Sequence, residues 1–516
     1  MSTSRREFLG TAALAGLAPI AGRLPVTARQ DRRVFLHGVA SGDPLREAVI
    51  LWTRATPPER DPLTPIAVSC EIARDEGFRQ IVGRAMQMAT PSHDFTVKID
   101  ALGLDPGTTY WYRFSALGEL SPVGRTRTLP ASTSRVRLAV ASCANLPAGF
   151  FNVYGRIAAR ADLDAVLHLG DYIYEYRNGI YGDGTAFGRI PMPDKEAVTL
   201  EDYRTRHAQY KTDPDLQAAH AAHPWITVWD DHEFANNAWR EGAQNHNPEL
   251  GEGTWADRRA AIIQSYLEWM PIREDHTMRQ TRIYRSFAFG SLADLVMLDA
   301  RYVGRDQEAD AADRIAVIED PSRTVLGSTQ EAWLAGELSA SQRAGVTWQI
   351  IGQQIMFAHL AQPDTPTTNT DVWDGYRAAR DRLLDTVAST NANSVILTGD
   401  IHSSWAFDVP RNPWRGYDRR TGDGCIAVEF ATPAVSSPSS MGPPDEARVA
   451  MRRWMETLPH LHWVEGLHRG YMVLDITSAR VRNDWFFVPT VAERSDAEIF
   501  AKGYVRDVNG GGLQEV

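Results

Sequence analysis

The pattern of the chain changes character near residue 130, and that change limits the folds open to it. From Val34 to about Pro130, "VFLHGVASG", "AVILWTRA", "IAVSCEIA", "FTVKIDA" and "YWYRFSA" are short alternating or β-branched runs separated by Gly, Pro and Asp turns. A β-sandwich is expected over residues 32–130, with "PASTS" at 130–134 as a linker. Beyond it, "VRLAVAS", "DAVLHLG", "WITVWD", "DLVMLDA", "TWQIIGQQ" and "SVILTGD" alternate with helical segments, the pattern of a mixed layered domain over 131–516. At 516 residues the chain exceeds what one core usually serves, so two domains are the default.

Within the first region, "LGLDPGTTYWYRF" feeds a Pro-Gly turn into a Tyr-x-Tyr strand and resembles the tyrosine corner of immunoglobulin-like and fibronectin-like domains. The N-terminus, "MSTSRREFLGTAALAGLAPIAGRLPV", pairs Arg5 and Arg6 ahead of an apolar stretch too short to span a bilayer. It is similar to a twin-arginine export signal, expected over residues 1–29. The twin-arginine export machinery is therefore an expected partner, and a soluble periplasmic or extracellular protein the expected product. A net charge of −11 without a polybasic run argues against a stable nucleic-acid or membrane partner. An anionic substrate would then need a local positive centre, which bound metal ions can supply.

Three cysteines, Cys70, Cys143 and Cys425, lie too far apart in sequence to imply a compact disulfide framework. Cys70 and Cys425 fall in strand-like runs and read as inert buried thiols. Cys143 stands where an apolar strand stops, as do Asp171, the Asp230-Asp231 pair, and Asp400 with His402. One acid at a strand end is more often a helix cap than a ligand. Four such ends, two with a histidine within two residues, point instead to a metal site at strand carboxyl ends.

Residue types sharpen this expectation. Carboxylates suit hard cations, imidazole suits transition metals, and phenolate or thiolate stabilises trivalent iron. In "GDYIYEYR", residues 170–177, a helix or turn would set Asp171 and Tyr174 on one side, with Arg177 projecting alongside as a bidentate partner for a substrate oxyanion. In "VWDDHEFANN", Asp231 adjoins His232, which would steady developing charge or the leaving group, and Asn236 follows one helical turn on. The Gly- and Pro-rich stretch from Gly179 to Lys195 is expected to pass over the surface near the site.

Gly170-Asp171, Asp230-Asp231-His232-Glu233 and Gly399-Asp400-Ile401-His402 together resemble the calcineurin-like metallophosphoesterase signature, with Asp231 at its usual asparagine position. "ASCAN" in place of the first Asp-x-His, and the tyrosine of "GDYIYEY", are similar to the PhoD-type alkaline phosphatase and phosphodiesterase family. Segments such as "GFFNVYGRIA", "MLDARYVGR" and "DVWDGYRAARDRLL" extend that resemblance along the chain. It implies an α+β multidomain protein, with a fibronectin/Ig-like β-sandwich followed by a metallophosphoesterase-type αββα sandwich. It further implies iron (Fe3+) on Cys143, Asp171, Tyr174, Asp400 and His402. Calcium, two ions by family pattern, would sit on Asp171, Asp231 and one or more of Asp230, Asn236 and Asp400. Asp299 and Arg301 match a family segment with a supporting role.

The implied function is a secreted phosphoric ester hydrolase. A metal-bound hydroxide would attack phosphorus while Arg177 and His232 stabilise the charge. Dedicated phosphodiesterase or phospholipase D-like activity remains open, because two metals do not choose monoester over diester. An iron-dependent oxygenase would want a two-histidine, one-carboxylate triad that the motifs do not offer. A calcium-binding adhesion protein would leave Cys143, His232 and His402 without a role.

Overall fold

The computed structural model describes residues 34–274, 282–310, 314–362, 365, 367, 369–390 and 393–516; the export-signal reading of residues 1–29 lies outside them. The chain is an α+β protein built on three sheets. At the centre of the ten-stranded sheet, Arg135–Ala141, Ala165–His168, Pro224–Thr227 and Val39–Gly42 run parallel as neighbours. The seven-stranded sheet has a parallel centre of Ala293–Met297, Trp348–Gln353, Asn393–Thr398 and Cys425–Ala431.

These central strands are apolar on both faces because both faces are covered. In Asn393–Thr398, Val395 and Leu397 join a core shared with Leu138, Val140 and Leu167 of the ten-stranded sheet. Ile396, pointing the other way, packs with Leu334 and Leu338 of helix Gly327–Arg343 and with Leu383, Leu384 and Val387 of helix Arg377–Ser389. The two sheets thus enclose the main core, and helices cover the outside of the seven-stranded one. No helix among the described residues is long and apolar enough to cross a membrane.

The N-terminal region has its own core, in which Val68, Cys70, Tyr112 and Phe114 of a five-stranded sheet meet Val49, Leu51, Val97 and Ile99. The phenol of Tyr110 accepts the backbone N–H of Asp105 at 2.8 Å, which fixes the turn ahead of its strand. The linker suggested by "PASTS" does not separate this region by hydrogen bonding. Val39–Gly42 pairs in parallel with Pro224–Thr227, so the strands Val39–Gly42, Ala48–Arg54 and Thr96–Leu102 extend the ten-stranded sheet. Composition marks a linker well but carries no information about which open sheet edge a distant strand will cover.

The Gly-rich C-terminus, which composition suggests is mobile, is docked. Leu513 donates its N–H to buried Asp408 at 2.8 Å, and a Cβ on Gly512 would meet that carboxylate at 2.1 Å. The glycines there serve close approach rather than freedom.

Lys211, which follows helix Leu200–Tyr210, packs against Trp52 of the N-terminal strand Ala48–Arg54. Its ammonium sits 4.4 Å from the ring centroid of Trp52, 5.3 Å from that of Tyr172 and 3.4 Å from Nε2 of His220. Burial pushes it from the ordinary lysine value of 10.5 down to about 7. The unfolded chain therefore binds the extra proton between these values, and its share of stability, full above pH 10.5, is lost as pH falls towards 7. Urea unfolding should show a gain on the order of 3 kcal/mol between pH 7 and pH 10 that Lys211→Met abolishes. An unchanged pH profile in that variant would mean that Lys211 stays charged.

Candidate metal centre

Four loops at the carboxyl ends of central strands supply the site. Arg135–Ala141 leads to Cys143, Ala165–His168 to Asp171, Pro224–Thr227 to Asp230 and Asp231, and Asn393–Thr398 to Asp400 and His402. Cys143, Asp171, Asp400 and His402 all have φ between 53° and 63°. Side chains pay for that left-handed backbone, and such residues gather where geometry is imposed by function. Gly170 allows the first two acidic loops to touch, since a Cβ there would lie 2.3 Å from Cβ of Asp230.

Three groups of potential ligand atoms, each mutually within 4.8 Å, result: Cys143, Asp171 and His402; Asp171, Asp231 and His232; and Asp230, Asp231 and Asp400. Tyr174 joins the first, its Oη 2.8 Å from Asp171 Oδ2 and 3.1 Å from His402 Nε2, with Ser437 Oγ at 2.7 Å. Asp171 and Asp231 are each shared between two groups, so the sites adjoin. The backbone is held by Glu233, whose buried carboxylate accepts N–H bonds from Asp171, Tyr172 and Asp230 at 2.6–2.9 Å.

Arg301 is the counter-charge. It is fully buried and reaches Asp230 at 2.5 Å, Asp371 at 2.8 Å, Asp400 at 3.1 Å and Asp231 at 3.6 Å. It does not suffice for so many carboxylates. Burial, followed by repulsion from Asp371, Asp231 and Asp171, pushes Asp400 up to about 8 despite Arg301. Burial and then Asp171 likewise raise the Cys143 thiol and the Tyr174 phenol well above their ordinary values. Asp230 Oδ2 and Asp231 Oδ1 are buried without a hydrogen-bond partner. Acceptors orphaned in this way, beside a thiol and phenol that need positive charge to ionise, fit metal cations.

His232 directs Nδ1 to Oε2 of Glu175 at 2.8 Å. Glu175 is fully buried and also accepts from Asn236 N and Asn245 Nδ2. Burial opposes the imidazolium, but Asp231, Glu175 and Asp171 outweigh it and raise the histidine well above its usual range. His232 lines a cavity of about 270 Å³ with Asp171, Asp231, Asp400, His402 and Tyr181. Larger clefts of about 870 and 630 Å³ elsewhere contain none of the candidate residues.

The sequence-based candidates do not all converge. Asn236 lines the cavity, although its amide is engaged by Gln244. Arg177 is exposed and lies outside the cavity lining. Its expected place rested on helical phase, whereas no helix forms there: a bend at Tyr172 and Ile173 follows the left-handed Asp171, and residues 174–177 are irregular. The bend turns Glu175 inward instead. Asp400 groups with Asp230 and Asp231 rather than with Cys143 and His402. Sequence reasoning assigned no role to Glu175, Glu233, Asp371 or Tyr181; the first two stand within the site motifs, Asp371 opens "DVWDGYRAARDRLL" and Tyr181 falls in the stretch from Gly179 to Lys195, where nothing local marks either as a site residue.

Comparison with known proteins agrees along the chain. The model for "PhoD-like phosphatase" matches residues 138–485, and that for "PhoD-like phosphatase, N-terminal domain" matches residues 20–130. Alkaline phosphatase D of Bacillus subtilis (strain 168) is 36% identical over 540 residues, covering 99% of this chain and 89% of that protein. A solved structure described as "Structure of PhoD" superposes with a TM-score of 0.83 at 35% identity, covering 94% of this chain and 92% of that one.

Proposed function

Since the chain belongs to the PhoD-like phosphatase family and is a phosphoric ester hydrolase, we propose that it cleaves phosphate esters at a centre of iron and calcium, outside the cytoplasm, to release phosphate. The observation that carries the reading is Asp171, whose carboxylate lines the cavity and belongs to two adjoining groups of ligand atoms. The first group, with Cys143, Tyr174 and His402, offers the thiolate and phenolate that favour Fe3+. The second and third offer the carboxylates of Asp230, Asp231 and Asp400, suited to calcium, with Asn236 at the rim. Asp400 fits the calcium side better than the iron side. When bound, the metals supply Lewis-acid charge for the phosphoryl oxygens and for the attacking water.

The chain's own residues do the rest. Asp171 fixes the spacing of the two sides, and Glu233 holds the loops that present it. Glu175 orients His232 so that its Nε2, the nitrogen free of Glu175, holds a proton for the departing oxygen. Arg301 keeps the carboxylates in place, and the exposed position of Arg177 leaves it no part in this scheme. The layers of two sheets and helices support a metallophosphoesterase-type αββα sandwich preceded by an Ig-like sandwich, and "SRREFLG" supports export by the twin-arginine route.

Turnover of p-nitrophenyl phosphate and bis(p-nitrophenyl) phosphate, before and after chelation, tests the reading. Activity that survives complete metal removal would overturn it. His232→Asn should lower kcat by about 10²- to 10⁴-fold, with a larger loss on alkyl esters, whose poor leaving group needs the proton, than on nitrophenyl esters. An equal loss on both would remove His232 from leaving-group protonation.

A further inference from the structure

Tyr181 lies at the tip of the excursion that follows "GDYIYEYR", and three contacts tie it to the candidate centre. Its Oη is 2.7 Å from Nδ1 of His402, 221 residues away in sequence. Its ring stacks against that of His232, with centroids 6.1 Å apart and planes at 14°, and against that of Tyr174, at 5.8 Å and 28°. The tip is built rather than loose. Gly179 N–H bonds Gly182 O at 2.9 Å, and the buried Asn145 side chain donates to the backbone oxygen of Tyr181.

Nε2 of His402 is the nitrogen turned to the other candidate ligands, so a metal there requires the ring proton on Nδ1. Tyr181 Oη, 2.7 Å from Nδ1, accepts that N–H and can turn its own proton towards the backbone oxygen of Pro438, 3.5 Å away. The lone pair then stands on Nε2, the nitrogen that faces Tyr174 Oη at 3.1 Å and Asp171 Oδ2 at 3.9 Å. The partner of the remote ring nitrogen decides which tautomer a metal-binding histidine adopts and how its ring is aimed.

We propose that Tyr181 is a positioning residue for phosphate-ester hydrolysis: its hydroxyl fixes the His402 tautomer that turns Nε2 to Asp171, Tyr174 and Cys143, while its ring braces His232 over the cavity. This rests on the proposed metal centre. Phosphate-binding groups act only if the histidine beneath them keeps its aim, and one side chain here steadies both His402 and His232.

The test uses the exported, metal-loaded protein and its Tyr181→Phe variant, which retains the stacking ring but lacks Oη. Both are challenged with a graded chelator, and metal remaining on the protein is measured by elemental analysis, with thermal unfolding as a check on folding. Tyr181→Phe is expected to give up metal at roughly 10- to 100-fold lower chelator concentration than the parent, at a similar unfolding temperature. Equal retention in the two proteins would overturn the inference while leaving the metal centre intact. A parent that holds no metal would instead overturn the reading on which it rests. Should Tyr181→Phe unfold early, Tyr181→His, which offers a nitrogen near the lost oxygen, is expected to recover part of the retention; no recovery in a folded variant counts against the proposal.

Discussion

Asp171→Asn is expected to lower kcat/KM by at least about 10³-fold on either nitrophenyl substrate, a loss of ~4 kcal/mol of transition-state stabilisation. The amide is isosteric with the carboxylate, so the loop should still form over Glu233. What is lost is the charge that both ligand groups share, and an amide nitrogen replaces one of two acceptors. Oδ2 receives Tyr174 Oη at 2.8 Å and Oδ1 receives the His232 backbone N–H at 3.3 Å. Metal content should therefore fall on both sides of the centre, not on one. Arg177→Ala is the matched comparison: the residue is exposed and off the cavity, so kcat/KM should stay within about threefold of the parent, as surface changes usually do. If both variants lost activity equally, or if Asp171→Asn kept its metals, the shared carboxylate would not be the hinge of the site.

Arg301→Met should be the most damaging change to stability. Removing one partner from a buried ion-pair network leaves uncompensated charge, which costs about 3–5 kcal/mol. Here the orphans would be Asp230 and Asp400, with Asp231 a little further off, while Asp371 would keep Arg305 at 2.5 Å. The loss should depend on metal, because cations at the same carboxylates compensate what Arg301 no longer does. Denaturant unfolding in chelator should show the full loss, and unfolding in millimolar calcium a markedly smaller one. A variant destabilised to the same extent with and without calcium would indicate that Arg301 acts on packing alone, away from the metal-binding carboxylates.

How much of this was legible beforehand depends on how local each signal is. Cys143, Asp171, Asp231, Asp400 and His402 were visible because each ends an apolar strand, and a strand has a definite end that a sequence displays. Tyr174 was visible from its spacing to Asp171, and the contact at 2.8 Å exists. The same spacing argument failed three residues later for Arg177, since a single residue with φ of 55° at Asp171 breaks the helical phase on which it relied. Glu175 shows the same effect in reverse: its place in "GDYIYEYR" suggested no role, and it is fully buried against His232. Tyr181 follows closely after Tyr174, in the stretch expected to pass near the site, whereas Asp371 arrives from far along the chain; no periodicity records which side chain of a loop will land on the site.

The fold divides similarly. The change from all-β to alternating elements was legible because period-2 and period-3.6 patterns are local. The continuation of the ten-stranded sheet into the N-terminal region was not, because pairing Ser41 with Pro224 is a long-range choice between exposed edges. The Gly-rich terminus shows that glycine marks either freedom or close contact, and only the neighbours distinguish them.

The central claim is that Cys143 and Tyr174 belong to a metal centre that also contains Asp171 and His402. Elemental analysis of protein produced in its native host, with its visible absorption spectrum and that of Tyr174→Phe, tests it most directly. The account predicts iron near one per chain accompanied by calcium, and a coloured phenolate-to-iron band that Tyr174→Phe loses. Zinc or manganese alone, without colour in either protein, would contradict it.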